Sequence, residues 1–277
     1  MNIGLITDST SDLPEDLIGK FNINVIPAII NIGDHSYEDG KGLSREAYYD
    51  LLPSLKQSPT TATPSVGSFE ATYQNLLSSG AEQILSIHPP SNLSGIFNAA
   101  RLAAEVFGDR VKVLDSGQLS MGIGFQILAA AETISRGTGI AEVIHLISSI
   151  KQRVRVQALL DSLTYLRRSG RVSWAKAVVG GFLNFKPMID LRFGVLKRIG
   201  QTRTRNKGIL RLKKNLQEQE PLERLAVLHT NAQNDARKFL EDLNIKFKNP
   251  PIIVNVTTVI GTHVGPNGLG WALVPLI

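Results

Sequence analysis

The chain has 277 residues, 43% of them hydrophobic, so it can bury a sizeable core in one large domain or two modest ones. It has no cysteine and five dispersed histidines, which excludes disulfides and thiolate zinc sites, leaves no pair at helical metal-binding spacing, and fits a reducing cytoplasm. The net charge of +6 conceals a split: residues 1–150 carry 8 basic and 16 acidic side chains (net −8), while residues 151–277 carry 22 and 8 (net +14), so the second half presents either a solvated basic surface or a face for something anionic.

No window approaches the ~18 uninterrupted apolar residues of a membrane span. Asp8 and Asp12 come too early for the basic-then-apolar layout of a signal peptide. A cytoplasmic protein without integral membrane association is therefore expected. In chain order, residues 3–7 read as a buried strand that stops at Asp8-Ser9-Thr10-Ser11-Asp12, with Pro14 opening a helix. Residues 24–39 differ: Val25, Pro27 and Ile29, then Ile30 and Ile32, lie around Gly33-Asp34, a hairpin signal, and predict a small β excursion from the sheet. Pro59-Thr60-Thr61-Ala62-Thr63-Pro64-Ser65 reads as a polar loop opening a helix at Val66, and apolar spacing predicts helix over residues 69–77. Strands follow at residues 83–88 and 111–115, with helices at residues 96–107 and 123–134. Short strands alternating with helices imply a parallel sheet covered by helices.

The second half begins near Arg155. Residues 161–168 read as helix ending at Ser169-Gly170. Lys186-Pro187 should break any helix across residues 182–189, and Gly194 divides extended segments at residues 187–191 and 195–200. A basic helix is predicted over residues 202–219, then a strand at 225–229, a helix over 232–243 and a strand at 252–256. The fold class expected is α/β: a parallel-sheet α/β/α N-terminal domain over residues 1–155 with a small β-hairpin excursion, plus a smaller α+β C-terminal domain over residues 156–277.

Three predicted strand ends run into hydroxyl-rich loops: Ser9-Thr10-Ser11, Ser91-Asn92-Leu93-Ser94-Gly95 and Ser116-Gly117-Gln118-Leu119-Ser120. Ligands of open α/β sheets bind beside the carboxyl ends of strands. Hydroxyls beside helix N-termini, with the free N–H groups of the first turn, suit a carboxylate or phosphate. Each loop alone serves equally well as a helix cap; together with the loop at Thr61 they point to a crevice. Near the end, Gly261, Gly265, Gly268 and Gly270 surround His263, which reads either as a ligand-facing group titrating near neutrality or as an exposed histidine in a tight glycine turn. There is no P-loop, no nucleophile elbow and no local set of nucleophile, base and orienting group. The site reads as built to hold something rather than to cut it.

The chain resembles the DegV family of bacterial fatty-acid-binding proteins. The resemblance spans nearly the whole length, through Asp8-Ser9-Thr10-Ser11-Asp12-Leu13-Pro14, residues 61–67 and 91–95, Asp115-Ser116, Tyr165-Leu166-Arg167-Arg168-Ser169-Gly170-Arg171, Lys186-Pro187, Arg203-Thr204-Arg205 and residues 259–270. It implies one long-chain fatty acid held in an apolar tunnel between two domains. It implies a carboxylate gripped at Thr61, Ser94 and Gly95 with His263 close by, and Arg171 and Arg203 near the mouth or on a partner-docking face. No cofactor is implied beyond the bound acid, and no catalysis: the protein would present the carboxylate to a separate ATP-dependent fatty acid kinase, which forms the acyl phosphate. Sixteen buried methylenes would contribute about 13 kcal/mol gross at ~0.8 kcal/mol each, before ordering costs. Two neutral hydroxyls complement a full charge only modestly, so the helix start at Gly95 and a protonated His263 are expected to supply the rest. The sequence departs from the family pattern at Ala62-Thr63, at Ile96-Phe97 after Gly95, at His88-Pro89-Pro90 and at Asn267. Both hydroxyls survive these changes.

Two other readings stand beside this one. His263 would carry a phosphoryl group in a phosphotransfer-type enzyme acting on small phosphorylated or carboxylated metabolites. Alternatively, Arg203, Arg205, Lys207, Arg211, Lys213 and Lys214 would form a basic face for nucleic acid. That stretch has no aromatic side chain for stacking on bases, so no specific nucleic-acid complex is expected, and an acidic kinase partner suits the face better.

Overall fold

The computed structural model describes residues 2–177, 185–245 and 247–276. Its first sheet is fully parallel, in the order β2-β1-β6-β7, from Ile3–Asp8 (β1), Asn24–Ile26 (β2), Gln83–His88 (β6) and Val111–Asp115 (β7). Chain order runs outward on either side of the β1–β6 pair, so the crevice at their carboxyl ends is a topological switch point. Ile29–Ile32 (β3), His35–Glu38 (β4) and Thr60–Ala62 (β5) form a small antiparallel sheet in the order β4-β3-β5. The expected hairpin around Gly33-Asp34 is present, with Gly33 at φ 57°. Two details of that expectation are corrected: residues 24–26 belong to the main sheet, and the loop expected at Thr61 is the third strand of the small one.

The helices of this half are α1 (Glu15–Lys20), α2 (Arg45–Leu51), α3 (Val66–Ser78), α4 (Ile96–Ala104), α5 (Met121–Ile134) and α6 (Ile140–Arg153). The helix predicted over residues 96–107 ends early, because a 3₁₀ segment with Gly108 at φ 57° takes over from Glu105. Helix α5 is buried on every side, which marks a central rather than a surface helix. It packs between the two large sheets, and one apolar core runs from Leu5 and Leu85 through Ile127 to Leu228 and Ala272. Gly122 and Gly124 permit this approach: a Cβ on Gly122 would lie 2.8 Å from Val156, and one on Gly124 would lie 3.0 Å from the Ser11 carbonyl.

The second sheet has six strands in the order β10-β9-β8-β13-β11-β12: Arg155–Leu159 (β8), Lys186–Arg192 (β9), Val195–Thr202 (β10), Leu222–His229 (β11), Ile252–Asn255 (β12) and Leu269–Pro275 (β13). Only β11 and β12 pair in parallel, around the helix α10 (Gln233–Glu241). Thr164–Ser169 (α7), Ser173–Ala177 (α8), Arg205–Gln217 (α9) and Thr258–Val264 (α11) complete the half. Helix α7 stops where Gly170 turns left-handed at φ 70°. Of the stretch expected to be helix-free around Lys186-Pro187, residues 182–184 lie outside the described residues, and Lys186 and Pro187 open β9. The segment at residues 259–270, read from the sequence as a glycine-rich loop, is instead a short helix followed by the start of a buried strand.

Candidate functional site

The switch-point crevice opens into a cavity of about 290 Å³ between the halves, and Thr61, Ser94, Gly95 and His263 all line it. Each arrives on a different support. Thr61 sits on β5 opposite Ile30. Ser94 and Gly95 precede α4, where the Ser94 hydroxyl oxygen accepts the Ile96 N–H at 3.3 Å, leaving its own hydrogen free for the cavity. A Cβ on Gly95 would stand 2.9 Å from Thr63 Oγ1, so glycine lets this loop close on the neighbouring one. Asp115 pins two loops together by accepting the N–H groups of Ser91 (2.9 Å) and Gly117 (2.8 Å).

His263 lies in the last turn of α11, and its Nε2 is 3.2 Å from Thr61 Oγ1. With the imidazole proton on Nε2, the ring donates to Thr61 and frees the threonine hydrogen to point elsewhere. Its Nδ1 is buried without a partner. Burial, reinforced by the Arg171 charge, pushes His263 down to about 4. The ligand-free site therefore holds a neutral imidazole at pH 7, where the sequence predicts a protonated one beside the carboxylate, and the hydroxyls, the N–H groups and Arg171 at the edge are the groups facing an incoming anion. The sequence reading of an exposed histidine in a glycine turn also fails, because α11 is packed on α2, α7 and β5.

Arg171 lines the cavity at its edge, exposed, with Nη1 donating to the Ser169 carbonyl at 2.8 Å. A more open recess of about 720 Å³ adjoins it and carries Lys197 and Arg198. Arg203 is not brought to the head of the cavity; its guanidinium stacks 5.9 Å from the Phe185 ring centroid, and it lines none of these hollows. The basic face expected around α9 is partly spent on packing. Arg205 pairs with Asp235 at 2.6 Å, Arg211 donates to the Ile199 carbonyl at 3.1 Å, and Lys213 donates to the Asp242 carbonyl.

A second, apolar cavity of about 80 Å³ adjoins the first and is walled by Val156, Ala158, Leu160, Ile189, Leu191 and Leu228. Leu119, Leu196, Ile260 and Val264 line both hollows and form the passage between them. The hairpin tip at Gly194 helps to close this region from the second half, donating its N–H to the Gly117 carbonyl (2.7 Å) and accepting from Asn92 Nδ2 (2.8 Å). The sequence did not single out these wall residues. Their spacing by two along β8 and β9 is the signature of one sheet face, but from sequence alone it is the same as that of any core strand.

Thr10 also lines the larger cavity, yet its hydroxyl is committed to Asp8 Oδ1 at 2.5 Å. Asp8 accepts in addition from the Thr10 N–H (3.0 Å) and from His88 Nδ1 (2.7 Å), and His88 Nε2 meets Ser86 Oγ at 2.6 Å. All three members of this Asp–His–Ser chain are fully buried, with Tyr73 donating to Ser86 at 3.0 Å, so it braces the ends of β1 and β6 and offers no accessible nucleophile. The opening motif therefore scaffolds the site. It does not cap α1, whose N-cap is Pro14 without a side-chain bond. Among the described residues, no cluster of three His, Asp or Glu side chains is arranged to hold a metal, and no helix is long and apolar enough to cross a membrane.

A pH dependence follows. His263 and His229 are both pushed down to about 4, chiefly by burial, while burial pushes Asp12 up to about 6. Between about pH 6.5 and 4 the unfolded chain binds more protons than the folded one at each histidine, so stability falls on acidification; at Asp12 the folded form binds more, so stability rises. Each shift is worth about 3 kcal/mol, and two act against one, so the ligand-free protein should lose about 3 kcal/mol net from these groups between pH 7 and pH 4. Urea unfolding at the two pH values measures it. The same loss between the two pH values in a His229→Gln, His263→Gln variant as in the wild type would contradict the buried, neutral state of these histidines.

Fold and cavities together define a two-domain α/β protein with an internal hollow that is polar at one end and apolar at the other. The sequence matches the family of uncharacterised proteins called DegV over residues 2–276, and the chain belongs to that family. It is 33% identical over 278 residues to Protein DegV of Bacillus subtilis, covering 98% of each chain. A structure titled as fatty acid binding of a DegV family protein from Thermus thermophilus superposes with a TM-score of 0.91 at 29% identity, covering 100% of both chains. The crystal structure of DegV described as a fatty acid binding protein from Bacillus subtilis superposes with a TM-score of 0.87 at 31% identity, again covering 100% of both.

Proposed function

We propose that this chain binds one long-chain fatty acid, with its carboxylate at Thr61, Ser94, Gly95 and His263 and its tail running past Leu119 and Leu196 into the apolar arm. The observation that carries the reading is the joining of the two hollows: a hydroxyl-lined chamber at a switch point, continued by an arm walled mainly by aliphatic side chains, with Ser120, His229 and Thr230 also in its lining. Hollows of about 300–1,000 Å³ are the usual size for small-molecule sites. Fatty acid binding by the Thermus and Bacillus relatives supports the same ligand class. Residues 1–155 grip the carboxylate, and residues 156–277 close over the acyl chain.

In this reading the protein is a carrier, not an enzyme. It offers the carboxylate at the open edge by Arg171, beside the recess bearing Lys197 and Arg198, to a separate ATP-dependent fatty acid kinase in the cytoplasm. Arg203 belongs to the docking face. Phosphoryl transfer through His263 is the weaker reading, since Nε2 is taken by Thr61 and Nδ1 is buried. Organic extraction of the freshly purified protein, followed by mass spectrometry, tests the proposal. One equivalent of fatty acid, or uptake of one when offered, is expected. No bound acid and no uptake would overturn it.

A further inference from the structure

A cluster of two buried carboxylates, Asp12 and Asp39, and the partly exposed guanidinium of Arg45 sits at the start of α11 and lines neither hollow. Asp12 accepts the Thr257 N–H at 2.7 Å and the Ser120 hydroxyl at 2.6 Å, and pairs with Arg45 at 3.0 Å. Asp39, which follows β4, accepts the Thr258 hydroxyl at 2.6 Å and the Thr257 hydroxyl. Arg45 also donates to the Asn255 carbonyl, just before the helix. Farther along, the Tyr49 hydroxyl donates to the Val256 carbonyl at 2.8 Å, and Tyr48 meets Thr262 Oγ1 at 2.6 Å. Gly261 lies against the Tyr49 ring so closely that any Cβ there would collide with it. Helix α11 is thus held at its first residues by Asp39 and Asp12, along one side by α2, and near its end by Tyr48.

Buried ion pairs contribute little net stability, and here the guanidinium pairs with Asp12 alone while Asp39 is held by two threonine hydroxyls. What this cluster does is fix geometry. The helix it holds carries Ile260, His263 and Val264 into the hollows, and the restraining groups other than Asp12 come from residues 39–49. The same stretch of chain continues to β5, whose Thr61 is the partner of His263. One segment of the N-terminal half therefore positions both members of a pair that spans the two halves.

We propose that Asp39 is a positioning residue of the head-group site, acting through Thr257 and Thr258 on helix α11 and so on His263. The head-group role rests on the fatty-acid reading above; the mechanical coupling does not. Asp39→Asn keeps the shape of the side chain but removes its charge and replaces one acceptor oxygen by a donor, so one of the two threonine hydroxyls loses its acceptor. The helix start should then loosen, admitting water to the His263 ring and separating it from Thr61.

The test is a histidine-ring NMR titration of the ligand-free protein, with His263 assigned by its loss in His263→Gln, and hexadecanoate affinity in parallel. In Asp39→Asn the His263 midpoint should rise by about one pH unit or more toward its ordinary value, with binding about tenfold weaker. Tyr48→Phe, which removes only the bond to Thr262, should shift the midpoint in the same direction by less, and it decides the matter if Asp39→Asn does not fold. Glu132→Ala breaks a remote pair with Arg224 (2.6 and 3.0 Å) and serves as the control for general destabilisation: it should lower the unfolding temperature and leave His263 unmoved. A His263 midpoint unchanged in both test variants, or moved equally in Glu132→Ala, would overturn the proposal. If the wild-type protein takes up no fatty acid, the head-group reading fails, while the titration still decides whether Asp39 positions His263.

Discussion

Replacing Thr61 by valine and Ser94 by alanine together is expected to abolish the preference for a fatty acid over its methyl ester while leaving most of the affinity for the chain. Both hydroxyls can donate into the chamber: Ser94 accepts at its oxygen and Thr61 can be freed by His263, whereas Thr10 is committed to Asp8. A hydrogen bond to a charged group is worth about 1.5–3 kcal/mol, so losing two should reduce acid-over-ester discrimination by about 100-fold or more. The tail contacts remain, so the ester should bind the variant about as well as it binds the wild type. His263 is neutral in the ligand-free chamber, and the one cation lining it among the described residues, Arg171, is at the exposed edge. Calorimetric titration with hexadecanoate and methyl hexadecanoate measures the effect. A double variant that still discriminates like the wild type would place the carboxylate elsewhere.

The second large effect is expected in the arm. Ala158→Leu adds three carbons to the wall of a hollow of only about 80 Å³. Each methylene of ligand displaced costs about 0.8 kcal/mol, so three displaced amount to about 2–3 kcal/mol, or roughly 50-fold in affinity for hexadecanoate. Octanoate, which should end before the arm, should bind unchanged. The ratio of the two affinities isolates the arm from any general loss of stability. Equal weakening for both acids would show that the chain does not enter this hollow.

Several elements were legible in the residues for clear physical reasons. Gln83–His88 and Val111–Asp115 are short, mainly apolar runs bounded by turn residues, and they are strands over those same bounds. Gly170 and Gly194 were legible as stops because left-handed backbone needs them, at φ 70° and 74°. Thr60–Ala62 was not, since a short polar stretch becomes a strand only by pairing with β3, a partner about thirty residues away in sequence. Helix α11 was hidden by its glycine and threonines, which have weak helix propensity; the clasp of Asp39, Tyr48 and Tyr49 overrides that preference. Gly261, which counted against a helix in the sequence, is what lets the helix approach the Tyr49 ring.

The candidate site divides in the same way. Ser94 and Gly95 stood out in a hydroxyl-rich loop at a predicted strand end and Thr61 in a polar loop before a helix, the resemblance made them head-group residues, and His263 stood alone among glycines; the fold brings all four to one chamber. The state of His263 was not legible, because burial sets its charge and no local motif reports burial. Arg203 was carried over by resemblance and lies away from the chamber, stacked on Phe185. The arm could not be found from the residues at all, since Val156, Ala158 and Leu160 differ from ordinary core only in facing a hollow.

A crystal structure of the complex with hexadecanoate tests the central claim most directly. Carboxylate oxygens are expected within about 3 Å of Thr61 Oγ1 and Ser94 Oγ, with methylenes running between Leu119 and Leu196 into the arm walled by Ala158 and Leu228. A bound acid lying in the open recess by Lys197 and Arg198, or one with its carboxylate in the arm and its tail at Ser94, would contradict it.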